Sequence, residues 1–183
     1  MPARRKILDV KVPRQAQDNW CWAAVSVGIR RAYRGSRMLQ CEVASRVLSL
    51  VCCRAGTEPA CNVQRRLGRA LAPYFQRPVL STPRSRSFDF VKEQIDKGHP
   101  IAVRIAWSET GAGHFVVISG YYEDDGIRDV FVCDPFLGGR GIPHPFKQFR
   151  NNYNQSGKWD QTYITVPKDG SRVPECSHGH LCL

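Results

Sequence analysis

Gln15-Ala16-Gln17-Asp18-Asn19-Trp20-Cys21-Trp22-Ala23-Ala24 is the stretch on which the reading of the fold turns. Downstream of it Trp22, Val25, Ile29 and Ala32 recur at helical spacing, while Arg30, Arg31 and Arg34 fall on the opposite face. A helix is therefore expected from about Trp20, with Asp18 or Asn19 as its cap and Gly35 as its stop. That places Cys21 in the first turn, where the helix dipole and unpaired N–H groups favour a thiolate. A thiolate is the form of cysteine that attacks carbonyl carbon. Gln15, six positions upstream, can return along an extended approach and donate its amide to a developing oxyanion. The Cys21 backbone N–H would be the second donor. Gln17 competes for that role at a spacing of four. A single cysteine is more often a buried structural residue, so the rest of the chain has to decide.

Outward from this helix the pattern is helices first and strands later. Residues 1–14 form an extended lead-in, with Ile7, Val10 and Val12 alternating and Pro13 ending the run. A second helix is expected over 40–50, a cysteine-rich loop over 51–61, and a third helix over 62–72, stopped by Pro73. Pro78, Pro83 and the Ser/Arg run 84–87 read as a linker-like loop. A fourth helix over 88–97 ends at Gly98. Strands follow at Ile101–Trp107, His114–Tyr122, Asp129–Cys133 and Thr162–Val166. This is an α+β order, not an alternating βαβ order. There is no internal repeat and no low-complexity segment. The chain divides into a lead-in (1–14), a catalytic domain (15–167) and a Cys/His-containing tail (168–183). The domain has a helical half at about 15–75 and a sheet half at about 100–167, and a cleft between them suits a site with one group from each.

Two segments of the sheet half supply partners for Cys21. In Gly113-His114-Phe115-Val116-Val117-Ile118-Ser119-Gly120-Tyr121 a histidine stands at the mouth of a buried strand, and Gly113 leaves room for a substrate backbone. Val132-Cys133-Asp134-Pro135 puts a carboxylate at the end of the next strand, where it can hold the His114 tautomer that presents its other nitrogen to Cys21. Taken singly, His114 reads as a satisfied strand-end histidine and Asp134-Pro135 as a turn starter. Asn19 and Trp20 are expected to line the cleft beside Cys21. His99 is a poorer base, His144 reads as surface, and Trp107 and Trp159 read as packing, with Trp159 in a position to shield His114 and Asp134.

The chain has 183 residues, 42% of them hydrophobic, enough for one domain with a core. No apolar run reaches the length of a membrane span. Asp9, Lys11 and Arg14 interrupt the region after the basic Met1–Lys6, which argues against a Sec-type signal peptide. The net charge of +11 favours acidic partners. With no paired Cys/His finger or aromatic RNP stretch, an acidic protein such as an inhibitor or immunity protein is expected rather than nucleic acid. Eight cysteines permit disulfides. One or two bridges among Cys41, Cys52, Cys53 and Cys61, or none in a reducing compartment, fit the sequence. In the tail, Cys176, His178, His180 and Cys182 alternate too tightly for the usual zinc spacing, so no metal is expected there.

Together, Gln15, Cys21-Trp22, His114 with Gly120-Tyr121, and Asp134 resemble the papain pattern of Gln-x5-Cys-Trp, His-x5-Gly-Tyr and a later Asn or Asp. The Asn19-to-Ala24 form, Cys52-Cys53 with Cys61-Asn62, and Asp134-Pro135 with Trp159 and Thr162-Tyr163 resemble the compact bacterial branch. That branch includes avirulence-effector cysteine proteases of plant pathogens. The resemblance covers about residues 10–167. It implies a papain-like fold, with a central nucleophile helix packed on an antiparallel sheet, and a cysteine endopeptidase acting on protein substrates without a cofactor. Cys21 would be the nucleophile, His114 the base, Asp134 the orienting residue and Gln15 the oxyanion donor. Asp134 stands where papain itself has Asn. Cys21 and His114 are closer in sequence than in papain itself, which implies trimmed specificity loops. The resemblance further implies a secreted bacterial effector or toxin delivered by a non-Sec route, the alternative being a cytoplasmic protein. Other readings of the same residues are a peptidoglycan peptide amidase, a non-catalytic basic binding module, and acyl transfer or deamidation. The amidases usually open the helix with Asp-Cys-Ser, which Asn19-Trp20-Cys21-Trp22 does not match.

Overall fold

The structure is a computed structural model that describes residues 2–54, 59–75, 81–108 and 112–176. Helix α1 spans Cys21–Arg34 and buries Trp22, Val25 and Ile29. Each such side chain contributes about 1.5–3 kcal/mol on burial. Gly35 ends the helix in the left-handed region at φ 58°, its N–H donating to Arg31 O. The start differs from expectation. Neither Asp18 nor Asn19 caps it; the N-cap residue is Trp20, with no side-chain capping bond. The amide of Asn19 is used elsewhere, donating through Nδ2 to Asn62 O at 3.0 Å.

Helix α2 covers Gln40–Leu48 and α3 only Leu67–Leu71. The start of the expected helix stays out of α3, where the polar groups of Asn62 and Val63 are already used. Asn62 bonds Asn19 twice, and Val63 O accepts the Trp22 indole N–H at 3.0 Å. Between α2 and α3 the chain is cross-linked by Cys41–Cys53 and Cys52–Cys61. Helix α4 (Phe88–Asp96) starts at Ser87, whose hydroxyl accepts the Phe90 N–H.

Among the described residues seven strands make one antiparallel sheet: β1 (Arg4–Ile7), β2 (Ser81–Thr82), β3 (Ile101–Trp107), β4 (Gly113–Asp124), β5 (Ile127–Cys133), β6 (Ile142–Pro145) and β7 (Gly157–Ile164). The order is β2-β7-β3-β4-β5-β6, and β1 joins the upper part of β4. On one edge β4 pairs through residues 113–118 with β3 and through 120–123 with β1; its other edge takes β5. Helices α1 and α4 both pack against β4, which is why its centre is a continuous apolar run. The lead-in is bound to this sheet, with Leu8, Val10 and Val12 buried in the core. A short helix, α5 (Phe146–Asn152), lies between β6 and β7 and packs on β7 and β5. Neither β6 nor α5 is anticipated by the sequence pattern, and β2 occupies part of the expected linker. Among the described residues no helix is long and apolar enough to cross a membrane.

Candidate active site

The first residue of α1, the second of β4 and the residue after β5 converge. His114 Nε2 lies 2.7 Å from Asp134 Oδ1. A carboxylate only accepts, so Nε2 carries the proton and donates. The Cys21 thiol is hydrogen-bonded to the same ring, and with Nε2 taken the nitrogen left for it is Nδ1. The site is nearly closed to solvent: Cys21 is 5%, His114 3% and Asp134 7% exposed. Burial by itself would lower the imidazole pKa. The bond to Asp134, the bond to Cys21 and their charges outweigh it and raise the value to about 9. Burial pushes Asp134 up, but its bond to His114, the imidazolium charge, the Phe136 N–H and the Tyr153 hydroxyl hold it below the ordinary carboxylate value.

Asp134 is held at both oxygens. Oδ1 also accepts the Phe136 N–H at 2.8 Å, and Oδ2 accepts the Tyr153 hydroxyl at 2.7 Å. The His114 ring is flanked by Phe136, with centroids 4.5 Å apart, and by Trp107 at 6.3 Å, both near parallel to it. Behind them Tyr153 packs on Phe149 of α5, which packs in turn on Trp159. Trp159 therefore supports this cluster from one layer further in, while Trp107 and Phe136 cover the ring. Phe136 follows Asp134 by two residues, but Tyr153 and Phe149 carry no spacing to His114 or Asp134 that a sequence reading could use. They become neighbours only when α5 folds back on β5 and β7.

Cys21 heads the helix, so its backbone N–H has no intrahelical partner and is free to serve as a donor. Gln15 Nε2 donates to Asp18 O at 2.6 Å and to Gln17 O at 3.1 Å, and its Oε1 is buried without a partner. Its backbone N–H donates to Pro135 O, tying the approach to α1 directly to the Asp134 turn. Trp20, expected at the cleft surface, is 2% exposed, and its indole N–H donates to Cys61 O at 2.6 Å. It anchors the start of α1 to the disulfide loop and cannot offer a surface to substrate. Asn19 is engaged with Asn62. Gly113 does border the cleft, but the space beside it is occupied: a Cβ there would lie 2.3 Å from Arg104 Nε. His99 is bound to the Tyr33 hydroxyl, away from this site, and His144 is half-buried against Tyr153 and Phe149 instead of lying on the surface.

A cleft of about 810 Å³ opens from Cys21 and Trp22 between residues 64–69 on one side and the β3, β4 and β7 ends on the other. Among the described residues no group of His, Cys, Asp and Glu could hold a metal. Residues 177–183 of the tail lie outside the described residues, and Cys176 is disulfide-bonded, so its sulfur is not a free ligand.

Residues 7–160 match the family described as Peptidase_C39 like. No curated protein matches the chain. Among solved structures it is similar to digestive procathepsin L 3 from the larval midgut of Tenebrio molitor, at 13% identity over 88% of this chain and 69% of that one, with a TM-score of 0.55. It is also similar to a structure from work on the mite allergens Blo t 1 and Der p 1, at 13% identity over 85% and 67%, with a TM-score of 0.49. The procathepsin likeness fixes the fold as papain-like, and the family match spans most of the chain, from β1 into β7. The chain belongs to the Peptidase_C39-like family and is a papain-like cysteine protease, a hydrolase.

Proposed function

We propose that the chain is an endopeptidase cutting protein substrates through Cys21, His114 and Asp134. The observation that carries this is the His114 ring, bonded through one nitrogen to Asp134 and through the other to the Cys21 thiol. To react, Cys21 gives its thiol proton to His114 Nδ1, which leaves a thiolate beside an imidazolium. The sulfur attacks the amide carbon, and the oxyanion that forms is met by the Cys21 N–H. Gln15 Nε2 is the second donor, and to serve it must exchange one of its two carbonyl partners for the oxyanion. His114 Nδ1 gives its proton to the leaving amine, producing an acyl-enzyme and the new N-terminus. Water then loses a proton to Nδ1 and attacks the thioester, releasing the acid and the Cys21 thiolate, to which the imidazolium returns the proton. Asp134 remains ionised throughout and keeps Nε2–H in place.

The disulfides Cys41–Cys53 and Cys52–Cys61 support work outside a reducing cytosol. Export as an effector or toxin accords with that chemistry and with the resemblance of the Cys21 and Cys61-Asn62 segments to avirulence proteases. The test compares new protein N-termini in cells producing wild type and Cys21→Ala. Wild type should generate a defined set of new N-termini that the variant lacks. Identical profiles, together with a Cys21 alkylated by iodoacetamide no faster than an ordinary accessible thiol near neutral pH, would sink the proposal.

A further inference from the structure

The cleft that opens from Cys21 has a wall of one charge. Arg65, Arg66 and Arg69 border it from the helical half, and Arg104 borders it from β3. Among the described residues no Asp or Glu lines it. Arg104 is not a free charge, since it is paired with Asp160 on β7. The other three are exposed, and none is within salt-bridge distance of a described carboxylate. Arg65 is instead turned on its own loop, donating to Gln64 O. Tyr163 lines the same cleft, and the charges of both Arg66 and Arg104 reach its hydroxyl. Guanidinium groups present paired donors that match a carboxylate. Several cations on a concave wall without counter-charge also raise the local concentration of anionic ligand.

From this geometry we infer that Arg65, Arg66 and Arg69 are specificity-determining residues and that the substrate is a polypeptide segment carrying Asp or Glu within a few residues of the cleaved bond. This rests on the peptidase reading of Cys21 but concerns different atoms. The acidic side chain would lie along residues 65–69 while the scissile carbonyl reaches Cys21. Recognition is by surface charge, so it adds selectivity without a closed pocket and weakens as salt screens it.

Two measurements on the full chain test this. Wild type and the Arg66→Glu/Arg69→Glu double variant are each incubated with a peptide library of natural sequences, and the cleavage sites are read by mass spectrometry. Wild-type sites should be enriched in Asp and Glu at one or more positions near the cut, with roughly a two- to fivefold preference over the matched amides. The double variant should lose that enrichment or turn it toward Lys and Arg. In parallel, a fluorescent Glu-rich peptide and its Gln-matched control are titrated against Cys21→Ala by polarisation. The Glu peptide should bind at least several-fold tighter at low salt, and most of the difference should vanish near 1 M salt, where the screening length is about 3 Å. Cleavage without acidic enrichment, enrichment unchanged in the double variant, or equal binding of the two peptides overturns the inference. A library left uncut while Glu-selective binding persists and depends on Arg66 and Arg69 removes the peptidase reading and leaves the acidic-ligand cleft standing.

Discussion

Asp134 holds the proton on His114 Nε2 and closes the turn after β5 by accepting the Phe136 N–H. The Tyr153 hydroxyl fixes its second oxygen, so the carboxylate cannot rotate away when His114 changes charge. The raised imidazole pKa sets a pH limit on the reaction. The charged ring is present at neutral pH and is lost as pH rises through about 9. The same shift contributes stability that is complete below the ordinary value of 6.5 and disappears through that alkaline range. Asp134→Asn keeps the shape but removes the charge that holds the imidazolium. The alkaline limb of kcat/KM should move to lower pH, and kcat should fall while some activity remains, because an orienting residue contributes less than the nucleophile. A pH profile of the variant that coincides with wild type would mean that another group sets the His114 charge. That Cys21, His114 and Asp134 come together was legible in sequence, because each ends or begins an element and stands at a spacing that resembles the papain pattern. Tyr153 and the arginine wall were not, since their roles depend on which loops face each other.

At the scale of the elements, legibility followed hydrophobic pattern and length. Strands β3, β4 and β5 are Val/Ile-rich runs, and α1 has a clean apolar stripe, so the sequence reading finds all four. Strand β6 contains Pro143 and Pro145, which disqualify a central strand but are tolerated at the sheet edge it occupies. Helix α5 has seven residues, too few to show a period. Helix α3 is shorter than its apolar spacing suggests, because the segment before it receives hydrogen bonds from α1 and its approach. The signature glycine, Gly120, has a physical reason. It faces Ile7 across the β1–β4 ladder, and a Cβ there would lie 2.6 Å from Lys6 O and 2.9 Å from Ile7 Cα. Both atoms are backbone, so β1 would have to move. Gly120→Ala should destabilise by about 1–3 kcal/mol. For a chain of this size that lowers Tm by roughly 2–12 °C. Amide exchange at Leu8, whose N–H donates to Ser119 O, should accelerate in the same variant. An unchanged Tm would show that β1 adapts without cost.

The molecule as a whole combines a thiol that must stay reduced with disulfides that must stay closed. Cys21 and Cys133 are the free cysteines among the described residues, and both are buried. Burial and apolar surroundings raise the Cys133 thiol to about 12, beside Ser119 and Val10 O, so it stays protonated and inert while Cys21 faces His114. The Cys52–Cys61 bridge ends one residue before Asn62, and the segment 61–63 receives four hydrogen bonds from Asn19, Trp20 and Trp22, the residues around the nucleophile. Closing that loop therefore holds the start of α1 in register with β4 as well as restricting the unfolded chain. Cys52→Ser/Cys61→Ser should lose about 2–4 kcal/mol, a Tm decrease of roughly 4–16 °C. It should also slow alkylation of Cys21 by iodoacetamide well below the folding transition, which a purely entropic cross-link would leave unchanged. With wild type, mild reductant should raise activity by clearing oxidised Cys21, and strong reductant should then lower it as the bridge opens. Because Cys133 is walled off and Cys21 is the proposed nucleophile, mass mapping of alkylated thiols can assign the two phases. The rising phase must track label at Cys21, and the falling phase must track label at Cys52 and Cys61. A fall in activity that begins while Cys52 and Cys61 remain unlabelled would remove the bridge as the support of the nucleophile.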